Sequence, residues 1–269
     1  MNDASPGAYG RLINPVLVAG CIIILVSFAV RASFGLFQLP IAMEFAWPRE
    51  SFSLAIAIQN LFWGIGQPIF GAFAERYGDR KAILAGGACY VVGLILSSFA
   101  ITPGQHQFLE TLVGFGIAGT GFGVILAVVG RAASDRHRSM ALGIATAAGS
   151  AGQIVGPPVA QSLLTQMPWQ SVFVVFAGSI LVSMMALLLM RAPKPVVSAA
   201  DDEPMGVVIK RAVRDPSFLL IFIGFFSCGY QLAFITAHFP AFITEMCGPI
   251  TPDSLLYSLG VTSASGLGA

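Results

Sequence analysis

Seven long apolar stretches separated by short polar segments constrain the fold of this chain more than any other feature. Each is close to the ~20 mostly apolar residues that a helix needs to cross a bilayer. Only 10% of the residues are charged, whereas soluble domains carry about 25%. The sequence therefore predicts an all-α polytopic membrane protein. We expect spans near residues 14–43, 51–74, 82–101, 104–130, 140–165, 170–190 and 217–243, and the start of another near 254.

Lysines and arginines are distributed unevenly between the two sides of this arrangement. With the N-terminus placed in the cytoplasm, 12 of the 14 basic residues fall in cytoplasmic segments, Arg49 falls outside, and Arg31 lies within the first span. Cytoplasmic loops of membrane proteins carry an excess of Lys and Arg. The pattern therefore predicts a multi-pass protein with a cytoplasmic N-terminus.

Residues 191–216 form the longest polar segment between the predicted spans. This segment divides the chain into a six-helix transmembrane bundle over 1–190, a cytoplasmic linker over 191–216, and the start of a second bundle over 217–269. The sequence stops within an apolar stretch at residues 266–269. We therefore expect a truncated protein that does not transport in isolation.

Residues 71–81, Gly-Ala-Phe-Ala-Glu-Arg-Tyr-Gly-Asp-Arg-Lys, form a charged segment between the second and third predicted spans. We expect a tight loop there, in which Gly78 allows the chain to reverse and Gly71 allows close helix approach. Glu75 is expected to accept from a helix N-terminus or to pair with an arginine. The segment resembles the loop signature of the major facilitator superfamily. The resemblance implies a gating loop that latches one conformation and comprises Gly71, Glu75, Arg76, Gly78, Asp79, Arg80 and Lys81.

The fifth predicted span resembles a second signature of that superfamily, a glycine-rich run that ends in Gly-Pro. Proline inside a membrane helix removes a backbone hydrogen bond and bends the helix, while glycine allows close packing. The resemblance implies a pliable helix at the interface of the two bundles, and ordinary helix packing is the alternative interpretation. The residues concerned are Gly149, Gly152, Gly156 and Pro157.

The resemblance implies the major facilitator fold, in which twelve spans form two six-helix bundles, and solute transport by alternating access. This chain would then hold the N-terminal bundle and the first one or two helices of the C-terminal bundle. The resemblance also implies a location in the cell inner membrane.

Arg31 is the strongest candidate for a binding residue. A charge within the bilayer costs about 2.5–3.5 kcal/mol on the insertion scale, so its side chain needs a cavity or a partner. Three interpretations stay open: capture of an anionic substrate, a structural salt bridge with Glu110, and extension of the side chain to the outer surface. Because the first and fourth spans both line the central cavity in the superfamily, the resemblance allows a substrate to compete with Glu110 for Arg31.

Several polar residues are further candidates for substrate binding. Gln231 and His238 of the seventh span are seven residues apart and share a helix face. His238 is able to change charge near neutral pH, although a bond to a backbone carbonyl explains it equally well. Tyr230, Asn60 of the second span and Glu110 of the fourth span are the remaining candidates.

The stretches 31–37, 149–153 and 229–240 resemble bacterial relatives of the monocarboxylate and oxalate/formate transporters. This resemblance implies a secondary transporter for a small organic anion, a carboxylate, with proton coupling or exchange. The alternatives are a multidrug or metabolite efflux antiporter and a half-transporter that acts as a membrane partner. The sequence holds no catalytic motif of the hydrolase or metalloprotease type, and we expect no enzyme activity, metal, cofactor or nucleic-acid partner. The expected partners are the substrate, a proton and the lipid bilayer.

Overall fold

The computed structural model describes residues 13–190 and 205–247, and within these ranges the regular structure is entirely helical. Two 3₁₀ turns, Phe34–Phe37 and Met185–Leu189, continue helices of the bundle. The predicted start of an eighth span near 254 and most of the predicted linker lie outside the described residues. The helices are α1 (Pro15–Ser33), α2 (Gln38–Phe45), α3 (Arg49–Tyr77), α4 (Asp79–Ser97), α5 (Pro103–Thr120), α6 (Phe122–Ala132), α7 (Arg138–Leu164), α8 (Trp169–Met184), α9 (Met205–Arg214) and α10 (Pro216–Cys247).

Five of the described helical segments are both long and apolar enough to cross a membrane: Pro15–Phe45, Asp79–Ser97, Pro103–Ala132, Trp169–Leu189 and Pro216–Phe239. The two other long helices, α3 and α7, have 29 and 27 residues. Their length suffices to cross a bilayer at ~1.5 Å per residue. They are less apolar because α3 carries three side-chain amides and α7 is rich in glycine. Each packs along a more apolar helix, α3 against α5 and α7 against α1.

The first, fourth and sixth predicted spans are not continuous α-helices, and the sixth ends in the 3₁₀ turn Met185–Leu189. In the first, the Ser33 hydroxyl donates to the Ala29 carbonyl at 2.8 Å, and the α-helix gives way to the 3₁₀ turn one residue later. Hydroxyl bonds of this kind compete with the helical ladder and bend helices. In the fourth, Gly121 adopts an extended conformation between α5 and α6. The first of these breaks follows Arg31 within one helical turn.

Close contacts hold the centre of the bundle together. A side chain at Gly119 of α5 would overlap the backbone of Gly86 in α4. The Ser27 and Thr120 hydroxyls are 2.8 Å apart and join α1 to α5, and the Tyr90 hydroxyl of α4 donates to the Ser27 carbonyl. Small residues and short polar bonds are the usual means by which membrane helices associate. These contacts hold α1, α4 and α5 together.

Polar contacts close both ends of the bundle. At one end the Asn14 side chain caps α1 by accepting from the Leu17 amide, and it also donates to the Ala132 carbonyl at the end of α6. At the opposite end the Glu44 carboxylate of α2 accepts from the Trp169 indole of α8 at 2.6 Å. The Asn14–Ala132 and Glu44–Trp169 bonds each join residues that are more than 100 positions apart in sequence.

The last two described helices differ from the bundle in their surroundings. Helix α9 occupies part of the predicted linker, which is therefore not wholly irregular. Helix α10 is exposed over most of its length and contacts the bundle mainly at the 3₁₀ turn Phe34–Phe37. The Thr236 carbonyl lies so close to Gly35 that a side chain there would overlap it. This contact brings α10 next to Arg31.

Candidate functional site

Arg31 lies in the last turn of α1, and its side chain is only 5% exposed. One terminal nitrogen, Nη2, donates to Asn60 Oδ1 of α3 at 3.3 Å. The guanidinium also lies over the Trp63 ring, 4.5 Å from its centroid. This is a cation–π geometry, which stabilises a desolvated cation. The structure therefore brings together Arg31 and Asn60, two of the residues predicted from the sequence.

The other terminal nitrogen of Arg31, Nη1, has no hydrogen-bond partner among the described residues. A guanidinium offers five N–H donors, and its paired terminal donors match the two oxygens of a carboxylate. A buried donor without a partner costs about 1–3 kcal/mol. A ligand that supplies an acceptor oxygen and a negative charge would remove this cost.

The structure does not support two of the three interpretations of Arg31. No ion pair joins Arg31 to Glu110 in the described chain, because the Gln59 amide of α3 donates to Glu110 Oε2 at 2.7 Å instead. Extension to the outer surface is also wrong for this structure, since the guanidinium is buried against Trp63. Binding of an anion at Arg31 stays a prediction.

A narrow cleft adjoins Arg31 where three segments meet. The cleft has a volume of about 10 Å³, which is roughly enough for one water molecule. The cleft in this arrangement is therefore too small for a carboxylate. The lining residues are Arg31, Phe34 and Gly35, then Ile56, Gln59 and Asn60 of α3, and Ala233, Thr236 and Ala237 of α10.

Glu110 forms a second buried polar cluster next to this cleft. His106, one helical turn earlier in α5, places Nε2 3.7 Å from Glu110 Oε1, and both side chains are fully shielded from solvent. His106 was not predicted from the sequence, because it follows other polar residues at the start of α5. The available signal was its spacing of four from Glu110, which places the two on one helix face.

The structure places the α10 candidates outside the cleft. Tyr230 and Gln231 are exposed, and the His238 ring packs on Phe234 at 5.1 Å between centroids. Instead, α10 presents Ala233, Thr236 and Ala237 to Arg31. A role for Tyr230, Gln231 and His238 in binding stays a prediction.

The charged segment 71–81 is helical, contrary to the loop expected from the sequence. Helix α3 continues through Tyr77 and α4 begins at Asp79, so that Gly78 alone joins them. Its φ of 98° and ψ of 147° are accessible essentially only to glycine. The predicted role of Gly78 in chain reversal is thus supported, while the expected length of the loop was wrong.

Asp79, and not Glu75, forms the ion pair of this segment. Arg131 Nη2 at the end of α6 lies 2.5 Å from Asp79 Oδ1, whose side chain is 6% exposed. Glu75 and Arg80 are exposed and have no ion-pair partner within the described ranges. The Asp79–Arg131 pair joins the first turn of α4 to the last turn of α6.

The glycines of the predicted hinge in α7 pack against α1 and α6. Side chains at Gly152 and Gly156 would overlap the carbonyls of Leu25 and Ala29, and one at Gly149 would overlap the Phe122 ring. Pro157 is buried within α7. The packing interpretation therefore holds within the first bundle, and the position of this face at an interface between two bundles stays a prediction.

Comparisons with known proteins agree with this architecture. Residues 19–269 match the Major Facilitator Superfamily. Monocarboxylate transporter 13 of Bos taurus is 30% identical over 244 residues, which cover 88% of this chain and 55% of that protein. The uncharacterized MFS-type transporter YcxA of Bacillus subtilis is 26% identical over 77% of this chain and 52% of its own length.

Further matches are shorter or show the fold alone. The methyl viologen resistance protein SmvA of Salmonella typhimurium is 28% identical over 52% of this chain and 27% of its own. The crystal structure of a bacterial homologue of the human lysosomal transporter Spinster has a TM-score of 0.68, with 14% identity, over 94% of this chain and 60% of that one. The chain thus spans about half the length of the curated relatives that it matches over most of its own length.

Proposed function

The chain belongs to the major facilitator superfamily, and we propose that it moves a small organic anion, such as a monocarboxylate, across the membrane. Transport proceeds by alternating access, with proton coupling or exchange. The observation that carries the proposal is the buried Arg31 guanidinium, which adjoins a cleft and holds a terminal nitrogen without a partner. The name of the bovine monocarboxylate transporter agrees with this class of substrate.

Arg31 supplies the charge for binding, and Asn60 holds its side chain in place. Since Nη2 already donates to Asn60, the plane of the guanidinium is fixed and less rotamer freedom is lost on binding. The Trp63 ring lies 4.5 Å from the guanidinium carbon, and the unpartnered Nη1 marks the edge that is left for the ligand. A planar carboxylate matches that edge with two parallel hydrogen bonds.

The narrow cleft implies that binding requires a change of conformation. The Thr236 backbone of α10 lies against Gly35 and closes one side of the cleft. Movement of α10 relative to α1 would open this side to an anion. Alternating access requires that ligand binding be coupled to such a movement of helices.

The proposed arrangement extends to the whole protein. Residues 1–190 form the N-terminal bundle, 191–216 the cytoplasmic linker and 217–269 the start of the C-terminal bundle, with the N-terminus in the cytoplasm and the protein in the cell inner membrane. The exposed Glu75, Arg76, Arg80 and Lys81 are available for gating contacts with other parts of the protein. Asp79 holds the segment to the N-terminal bundle through Arg131.

Multidrug efflux by antiport, with flat aromatic cations as substrates, is the second candidate function. Phe28 and Trp63 lie beside Arg31, and aromatic rings favour flat apolar compounds. The methyl viologen resistance of SmvA is consistent with such a substrate class. The buried positive charge of Arg31 opposes it, because a like charge in a dry site is costly.

Uptake into proteoliposomes distinguishes the two functions. We expect the purified full-length protein to take up labelled lactate with saturable kinetics, and unlabelled pyruvate to compete. Methyl viologen should neither compete nor be transported. Saturable transport of methyl viologen without lactate uptake would replace the anion proposal by the efflux proposal.

A further inference from the structure

His106 and Glu110 form a buried titratable pair that the binding of an anion at Arg31 does not use directly. Their side chains are 1% and 0% exposed. Glu110 Oε2 accepts from Gln59, while Glu110 Oε1 and both ring nitrogens of His106 have no hydrogen-bond partner among the described residues. Three polar atoms without partners in one buried cluster are unusual, since the large majority of such atoms are bonded.

The surroundings of the pair contain few other ionisable groups. The His106 ring lies between Phe52 of α3 and Phe173 of α8, at 6.0 and 6.4 Å between ring centroids, and it also contacts Trp47. Helix α3 contributes the neutral Gln59 amide. Among the described residues, the ionisable groups that face the pair from the other packed helices are Tyr90 of α4, which interacts electrostatically with Glu110, and beyond it Arg31 of α1.

Charge balance restricts the number of protons that this pair holds. With one shared proton the pair is neutral overall, either as neutral His106 with protonated Glu110 or as an ion pair. Without that proton it carries one negative charge in a site shielded from water. An uncompensated buried charge costs several kcal/mol, so the deprotonated pair depends on the positive charge of Arg31 nearby.

We propose that His106 and Glu110 form a proton-binding site that takes up one proton when an anion binds at Arg31. This inference rests on the proposed function. The proton comes from water on one side of the membrane, is held by the Glu110 carboxylate next to His106, and returns to water on the other side. The anion itself undergoes no covalent change.

Two adjacent residues of α3 connect the proton site to the anion site. Gln59 donates to Glu110, and the next residue, Asn60, accepts from Arg31. The buried Tyr90 hydroxyl of α4 donates to the Ser27 carbonyl of α1. The two charges are thus separated by a short layer of neutral polar groups, without direct contact.

This arrangement couples the two ligands by electrostatics. With Arg31 positive and Glu110 ionised, the empty site is neutral overall. An anion that binds alone leaves the site with a net negative charge, and one proton restores neutrality. Each ligand therefore raises the affinity for the other, and thermodynamic linkage requires the effect to be reciprocal.

Glu110→Gln in the full-length protein tests the inference by two readouts. Gln retains an oxygen that accepts from Gln59 but holds no titratable proton. In proteoliposomes with an imposed difference of one pH unit, one proton per anion supports up to about tenfold accumulation of lactate. We expect this ratio to fall to about one in the variant, while lactate counterflow continues. Glu50→Gln, an exposed carboxylate of α3, is the matched control and should accumulate lactate as the wild type does.

Infrared difference spectroscopy between acid and alkaline pH provides the second readout and needs no substrate. The wild type and Glu50→Gln should share a protonated-carboxyl band that Glu110→Gln lacks. If Glu110→Gln does not fold, His106→Phe, which keeps the ring contacts but removes both nitrogens, takes its place and should likewise lose pH-driven accumulation.

The outcomes separate the two proposals. Accumulation by Glu110→Gln equal to that of the wild type, or an unchanged carboxyl band, would overturn the proton site. Absence of lactate uptake by the wild type would contradict the anion proposal, and the infrared band would then decide the proton site independently.

Discussion

The ion pair between Asp79 and Arg131 provides a quantitative test of how the charged segment is held to the bundle. The two atoms lie 2.5 Å apart, and the side chains are 6% and 30% exposed. Removing one partner of a fully buried pair costs about 3–5 kcal/mol, whereas exposed pairs contribute about 0–1 kcal/mol. Because Arg131 reaches solvent with part of its side chain, we expect an intermediate coupling energy of about 1.5–3 kcal/mol.

A double-mutant cycle isolates this coupling energy. The variants are Asp79→Asn, Arg131→Gln and the combination of both, and the measured quantity is the free energy of unfolding in mixed micelles. Asp79 also lies in the first turn of α4, where a carboxylate gains about 0.3–1 kcal/mol from the helix dipole. This gain affects the single variants but cancels in the coupling energy.

Asp135 and Arg138 form the control pair, three residues apart and 3.0 Å between charged atoms. They are 93% and 53% exposed, so the same cycle should give a coupling of about 0.5 kcal/mol or less. If the Asp79–Arg131 coupling were as small as this, the pair would not hold α4 to α6, and the segment would need another anchor.

Two further substitutions test the helix contacts. Gly152→Val places a side chain on the Leu25 carbonyl, and we expect a loss of at least about 2 kcal/mol in unfolding free energy. Gly143→Val, at an open position of the same helix, is the control. Equal losses in the two variants would refute tight packing of α1 against α7. Gly78→Ala introduces no steric contact but strains the backbone, so we expect a loss of about 1–3 kcal/mol, measured in the same micelles. An unchanged stability would mean that the chain relaxes to another turn.

The distribution of apolar residues was sufficient to predict the helical architecture. Long apolar stretches predict membrane helices because each helix satisfies its own backbone hydrogen bonds. The same pattern gave too long a loop at residues 71–81, since charged residues at a membrane surface occur in helix ends as well as in loops. The helical boundary is set by the backbone of Gly78, which composition does not reveal.

The sequence indicated that Arg31 lies within the bundle and needs a partner, but it identified its neighbours only in part. A lone charge in an apolar span requires a partner, which identifies Arg31 but not the helix that supplies that partner. In the structure Asn60 accepts from Arg31, and Gln59 donates to Glu110. The rotation of α3 about its own axis decides which amide faces which charged group. The Asp79–Arg131 pair was missed for a similar reason, as its members are 52 residues apart in sequence.

Substitution of Arg31 tests the central claim most directly, with saturable lactate uptake by the full-length protein as the measured quantity. Loss of two charge-assisted hydrogen bonds costs at least about 3 kcal/mol, so Arg31→Gln should lower the apparent affinity for lactate by about 100-fold or more. Arg31→Lys retains the charge without the paired donors. Its apparent affinity for lactate should lie between those of the wild type and Arg31→Gln. Lactate uptake kinetics within about twofold of the wild type in Arg31→Gln, with equal protein in the membrane, would contradict the account.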